Sequence, residues 1–138
     1  MGADDCIFCK IAAGEVPSTK IYEDDNVLCF LDIGPVSDGH TLVIPKGHFE
    51  RLPDCPGEIL TEVMACVSKV AKAVAASTDC DGYNVLCNNG RAAGQLVGHL
   101  HFHIIPRRDG DGVFDHWPAK KYPEGKADEI AQKIRESL

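Results

Sequence analysis

Between Gly98 and Arg107 the chain alternates. His99, His101 and His103 take every second position, with Leu100, Phe102 and Ile104 between them. Two residues is the side-chain period of a β-strand, so the imidazoles are expected on one face and the apolar groups on the other. The stretch therefore calls for a sheet with one face packed on a core. Imidazole works near neutral pH as base, nucleophile or ligand, so three on one face mark the candidate active site.

Upstream the period changes. From Pro56 to about Ser77, Ile59, Val63, Cys66, Val70 and Val74 recur at helical spacing, with Leu60, Met64 and Val67 beside them. This predicts one long amphipathic helix lying across the sheet, with Pro56 near its first turn. Strands are expected at Lys20 to Glu23, Val27 to Ile33, His40 to Pro45 and Gly82 to Asn89, separated by turn residues such as Asp24-Asp25-Asn26 and Gly34-Pro35. A short helix is expected before Gly14 and another from Asp128 to Leu138. The fold class is α+β: an antiparallel sheet of about five strands, a main helix on one face and a short C-terminal helix. Residues 1–138 read as a single domain, with a C-terminal extension from about position 109.

Composition narrows the function classes. The chain has 138 residues, 44% hydrophobic and 25% charged, as in an ordinary globular domain. No apolar run approaches the ~20 residues of a membrane span, and the acidic N-terminus is unlike a signal peptide, so a cytoplasmic location and no membrane partner are expected. A net charge of −7 leaves no basic stripe for a nucleic-acid backbone, although a local site can still take a small anion. Seven cysteines, an odd number, argue against a disulfide framework, and Cys29, Cys66 and Cys87 read as small packed hydrophobes.

Metal is one reading of the histidines. Along an extended strand His99 and His103 would lie about 13 Å apart at Cα, too far for three of them to share one zinc ion. Cys6 and Cys9 form a CxxC with zinc-finger spacing but no second CxxC. The pair reads as half of a zinc site completed by histidines, as a redox pair, or as two packed thiols. The other reading of the strand is nucleophilic. A neutral imidazole attacks phosphorus readily, and flanking imidazoles can donate to phosphate oxygens as charge builds. Gln95, just upstream, could orient a leaving group or water.

These residues resemble the histidine triad (HIT) superfamily. His-Leu-His-Phe-His-Ile-Ile, preceded by Asn88-Asn89-Gly90 and Gly94-Gln95, is similar to its His-φ-His-φ-His-φ-φ signature. Cys6-Ile-Phe-Cys-Lys-Ile, Tyr22-Glu-Asp-Asp, Phe30-Leu-Asp-Ile and the run from Gly39 to His48 follow the pattern in the same order. The overall look is that of the Hint branch in its zinc-containing form. The resemblance implies a nucleotide hydrolase or transferase that cleaves at the α-phosphate through a nucleotidyl-histidine, with His101 as nucleophile and His103 on the phosphate. His99 would fix the His101 tautomer through its carbonyl, and His40 would hydrogen-bond behind the triad. Cys6, Cys9, His48 and His99 would hold a structural zinc.

By position, Phe8, Ile11, Phe30 and Ile33 would sandwich the base, although Phe30 and Ile33 also read as plain core. Asp32, an acid ending an apolar run, would accept from the ribose hydroxyls, and Asn89, Gln95 and the backbone near Leu96 would line the phosphates. A purine nucleoside phosphoramidate is the expected substrate, AMP or GMP the product, and a homodimer the assembly. Leu96 departs from the serine of many eukaryotic Hint proteins, which helps protonate the leaving group. His116-Trp117-Pro118 resembles a segment that reaches a partner's active site. A dinucleoside polyphosphate hydrolase and a non-catalytic nucleotide-binding regulatory module are the alternatives.

Overall fold

The structure, a computed structural model, describes residues 2–114 and 117–138. Strands β1 (Lys20–Glu23), β2 (Val27–Leu31), β3 (Thr41–Pro45), β4 (Gly82–Leu86) and β5 (Phe102–Arg107) form one antiparallel sheet of order β1-β2-β3-β5-β4. Helix α1 (Ile7–Ala12) precedes it, α2 (Gly57–Thr78) joins β3 to β4, and α3 (Lys126–Ser137) ends the chain.

The period-2 pattern sorts the strand residues onto two cores. Val27, Cys29, Val43, Phe102 and Ile104 face α2 and pack with Val63, Cys66, Val67, Val70 and Val74. Their neighbours Leu28, Phe30, Leu42 and Ile44 face the other way and pack with Cys6 and Phe8 of the N-terminal segment. His103 sits opposite Leu42 in the β3–β5 register, so it belongs to the α1 face. The long helix ends on Asp79 in the left-handed region (φ 51°), and the Arg108 guanidinium donates to the Thr78 and Asp79 carbonyls at 2.6 and 2.8 Å. Orphan carbonyls at the helix end thereby find a cation.

Two expectations are corrected. Only His103 of the triad lies within β5; His99 and His101 precede the ladder, because the Leu100 N–H is taken by the Phe49 carbonyl at 2.6 Å. Alternation survives without the ladder: Leu100 is buried in the α2 core. Strand β2 stops at Leu31 rather than Ile33, because the Asp32 carboxylate accepts from the Gly34 N–H at 2.8 Å and turns the chain. Ile33 is consequently fully exposed. Gly39 (φ +92°) lets that loop run tightly over the end of α2, where a Cβ would meet the Thr78 methyl at 2.6 Å.

Candidate active site

Helix α1 places both cysteines of the CxxC. Cys6 is its N-cap and accepts from the Cys9 N–H at 3.5 Å, so the two thiols share one turn. Cys6 Sγ lies 3.4 Å from His99 Nδ1, and Cys9 Sγ lies 3.5 Å from the same atom and 3.3 Å from His48 Nδ1. A tetrahedral zinc ion with bonds of about 2.3 Å to sulfur and 2.0–2.1 Å to nitrogen spaces its ligands about 3.6 Å apart. The four ligand atoms all lie within 4.8 Å of one another, so the donor set and its spacing fit such an ion. His99 Nε2–H donates to the Pro45 carbonyl at 2.8 Å, which leaves Nδ1 free as a lone-pair donor to the cluster.

Each imidazole is held in one tautomer by the same logic. His101 Nδ1 lies 2.7 Å from the His99 carbonyl; a carbonyl only accepts, so Nδ1 carries the proton and Nε2 carries the lone pair. His40 Nδ1 accepts from the Val36 N–H at 3.1 Å, so its proton is on Nε2, which donates to His103 Nδ1 at 2.9 Å. His103 is therefore protonated on Nε2. A ring nitrogen with a free lone pair and an N–H donor stand side by side, their ring centroids 4.9 Å apart.

Burial keeps the set neutral. Desolvation lowers the pKa of His101 and His40, and lowers those of His99 and His103 to about 4, with neighbouring imidazoles adding to the last two shifts. The Asp32 carboxylate, 3.6 Å from His40 Nε2, pulls the other way but does not prevail.

A cavity of about 810 Å³ opens over His101 and His103. Phe8, Ile11, Phe30, Asp32, Ile33 and Leu96, all singled out in the sequence, line it. Phe8 stands edge-on to Phe30 at 5.6 Å and to His101 at 5.1 Å between ring centroids, joining the apolar wall to the imidazoles. Leu96 is 92% exposed at the mouth.

Two expected phosphate contacts go elsewhere. The Gln95 side chain is buried, with Oε1 accepting from the Gly90 N–H at 2.8 Å and Nε2 donating to the Glu50 carbonyl at 2.7 Å. Asn89 Oδ1 accepts from the Leu52 N–H at 2.8 Å, and its Nδ2 donates to the Cys87 carbonyl. Both tie the 90–96 loop to the loop after His48, and neither is among the described residues lining the cavity. Conversely Ser18, Thr19, Leu42 and Val97 line it without having been singled out. Leu42 was findable, because alternation puts it on the face opposite Val43; Ser18 and Thr19 carry no pattern. His116 lies outside the described residues, and Trp117 is 89% exposed.

Comparison with known proteins meets this geometry at residues 13–110, which match the HIT domain family. The adenosine 5'-monophosphoramidase hnt1 of Schizosaccharomyces pombe is 44% identical over 137 residues, covering 94% of this chain and 98% of that one. A crystal structure of a HIT family member from Bacillus subtilis superposes with a TM-score of 0.90 at 42% identity, covering 97% of each chain. A zinc-bound histidine triad family protein from Mycobacterium smegmatis superposes at 0.74 with 36% identity, covering 99% of this chain and 100% of that one. With the triad, the sheet and the matched span in agreement, the chain belongs to the HIT family.

Proposed function

We propose that the protein is a nucleotidyl hydrolase that releases a nucleoside monophosphate from a purine nucleoside phosphoramidate through a covalent intermediate on His101. The observation that carries this reading is the proton arrangement: His101 Nε2 has its lone pair free, and its Nδ1–H is already engaged by the His99 carbonyl. Such an imidazole attacks without losing a proton first. In the first step the Nε2–P bond forms and the P–N bond breaks, and the departing nitrogen takes its electron pair and a proton from water. In the second, water attacks phosphorus and gives a proton to the hydroxide left by the first step, the electron pair of the P–Nε2 bond returns to the ring, and AMP or GMP leaves. His103 Nε2–H donates to a phosphate oxygen in both steps, its direction set by His40.

The apolar wall of Phe8, Ile11, Phe30 and Ile33 suits a purine, and Asp32 at the rim suits the ribose hydroxyls. The phosphoramidase activity for which the Schizosaccharomyces pombe relative is named supports the substrate class. Cys6, Cys9, His48 and His99 would hold a zinc ion as a brace; when bound, it would tie the N-terminus to the segment that leads through His101 into β5. The edge strand β4, with Tyr83 and Val85 exposed, suits pairing with a second copy as a homodimer. Residues 1–138 would form one HIT domain with an extension from about 109, working in the cytoplasm.

The test is His101→Ala against adenosine 5'-phosphoramidate. Loss of turnover on the order of 10³-fold or more is expected, with AMP binding retained. Wild-type protein quenched during turnover should carry one adenylyl group on His101. Unchanged turnover in the variant refutes the reading, as does wild-type protein that binds AMP but turns over neither phosphoramidates nor dinucleotides.

A further inference from the structure

Two cysteines that this chemistry does not use touch inside the core. Cys29 lies mid-way along β2 and Cys66 in α2, and their sulfurs are 3.1 Å apart. Both are free thiols, Cys29 wholly buried and Cys66 5% exposed. A disulfide needs about 2.05 Å, so closing it asks for an approach of about 1 Å shared between two side chains. Tyr22, the cross-strand partner of Cys29 on the sheet edge, packs against this cluster, and the Lys69 ammonium sits 4.2 Å from its ring. The Cys29 thiol, donating to Cys66, holds the Cys66 pKa below its ordinary value against burial and the Asp24 charge, which raise it, and the Lys69 charge adds a smaller pull downward.

We propose that Cys29 and Cys66 are a redox-active pair that a small hydroperoxide closes into a disulfide tying β2 to α2. The Cys66 thiolate attacks a peroxide oxygen: an S–O bond forms, the O–O bond breaks, and hydroxide leaves to be protonated. The Cys29 sulfur then attacks the resulting sulfenic acid, the S–S bond forms, and the S–O bond breaks, with the oxygen departing as water with the Cys29 proton. Two electrons leave the thiols, and hydrogen peroxide is reduced to two waters. Burial selects the oxidant, because hydrogen peroxide is close to water in size. A bulkier disulfide reagent would have to lodge half of itself in the core as a mixed disulfide. The bond would brace the strand that leads directly into Leu31 and Asp32 of the nucleotide cavity.

The 138-residue protein, supplemented with Zn2+, is treated with hydrogen peroxide and its remaining thiols are blocked with N-ethylmaleimide. It is then digested without reduction and mapped by mass spectrometry. A peptide linking Cys29 to Cys66, lighter by two hydrogens, is expected before any other cysteine pairs. Closing a loop of this length should raise Tm by on the order of 10 °C, reversibly with dithiothreitol. Cys66→Ala should abolish both the linked peptide and the Tm rise. Recovery of Cys29 and Cys66 unlinked, at peroxide levels that already oxidise Cys80 or Cys87, overturns the proposal. That wild-type result needs no variant to fold.

Discussion

Replacing Gln95 by alanine separates two roles that a sequence reading merges. In the structure its amide bridges the Gly90 N–H and the Glu50 carbonyl and lies outside the cavity, so the side chain is a clasp between two loops. Alanine removes both bonds. At about 1 kcal/mol net for each, the loss is about 2 kcal/mol, and more if either backbone group is left without water. An unfolding entropy of about 2.1 cal/mol/K per residue over this chain gives roughly 0.29 kcal/mol/K, so Tm should fall by about 7 °C. Gly94, Leu96 and Val97 line the cavity on either side of residue 95, so loosening the clasp should also raise KM. Gln95→Glu should fare no better: it keeps an acceptor for Gly90 but sets a carboxylate oxygen against the Glu50 carbonyl. Calorimetry or thermal circular dichroism, run beside steady-state kinetics, reads both effects. A Gln95→Ala protein that melts with the wild type while kcat/KM drops more than about tenfold would refute the clasp and put the amide on substrate.

The proposed zinc site predicts about one equivalent of zinc by metal analysis, and a lower Tm with chelator or in His48→Ala. Unchanged stability after metal removal would dismiss the brace. Burial depresses the His101 pKa, so kcat/KM should stay level as the pH falls through 6.5, the ordinary histidine value; a half-maximum at 6.5 would contradict a buried neutral nucleophile. His103, with a folded pKa of about 4, binds fewer protons folded than unfolded. Stability measured by urea titration should therefore drop between about pH 6.5 and 4 and level off below, and His103→Asn should flatten that slope. Leu28 is wholly buried beneath α1, and Leu28→Ala should cost about 3 kcal/mol by urea unfolding. A cost under 1 kcal/mol would mean that the α1 face is loosely packed.

How legible each part was follows from how local its cause is. Helix α2 was readable because its apolar spacing is set by 3.6 residues per turn, and it came within about a residue of the expected ends. The two faces of β3 and β5 were readable because alternation is a backbone property: Val43, Phe102 and Ile104 had to face one way, Leu42 and His103 the other. Asp32 at the end of an apolar run flagged itself in the same way.

The rest required partners distant in the chain. Ile33 read as strand interior, yet one hydrogen bond from Asp32 to Gly34 ends β2 and puts it in solvent. Gln95 and Asn89 sit inside the signature, but hydrogen bonds to residues 37 to 45 positions away decide that their amides hold loops. No pattern announces that Cys29 meets Cys66, because a thiol on a strand and a thiol on a helix obey different periods.

Sequence alone therefore determined which residue types are available and which face of each element they occupy, since those depend on backbone geometry a few residues wide. Tertiary structure supplies the contacts that fix where each proton sits. The lone pair on His101 Nε2 is left free because the His99 carbonyl takes the Nδ1 proton. The N–H on His103 exists because Val36, 67 residues earlier, donates to His40. A tautomer depends on what the other nitrogen touches, and only the folded chain supplies that contact.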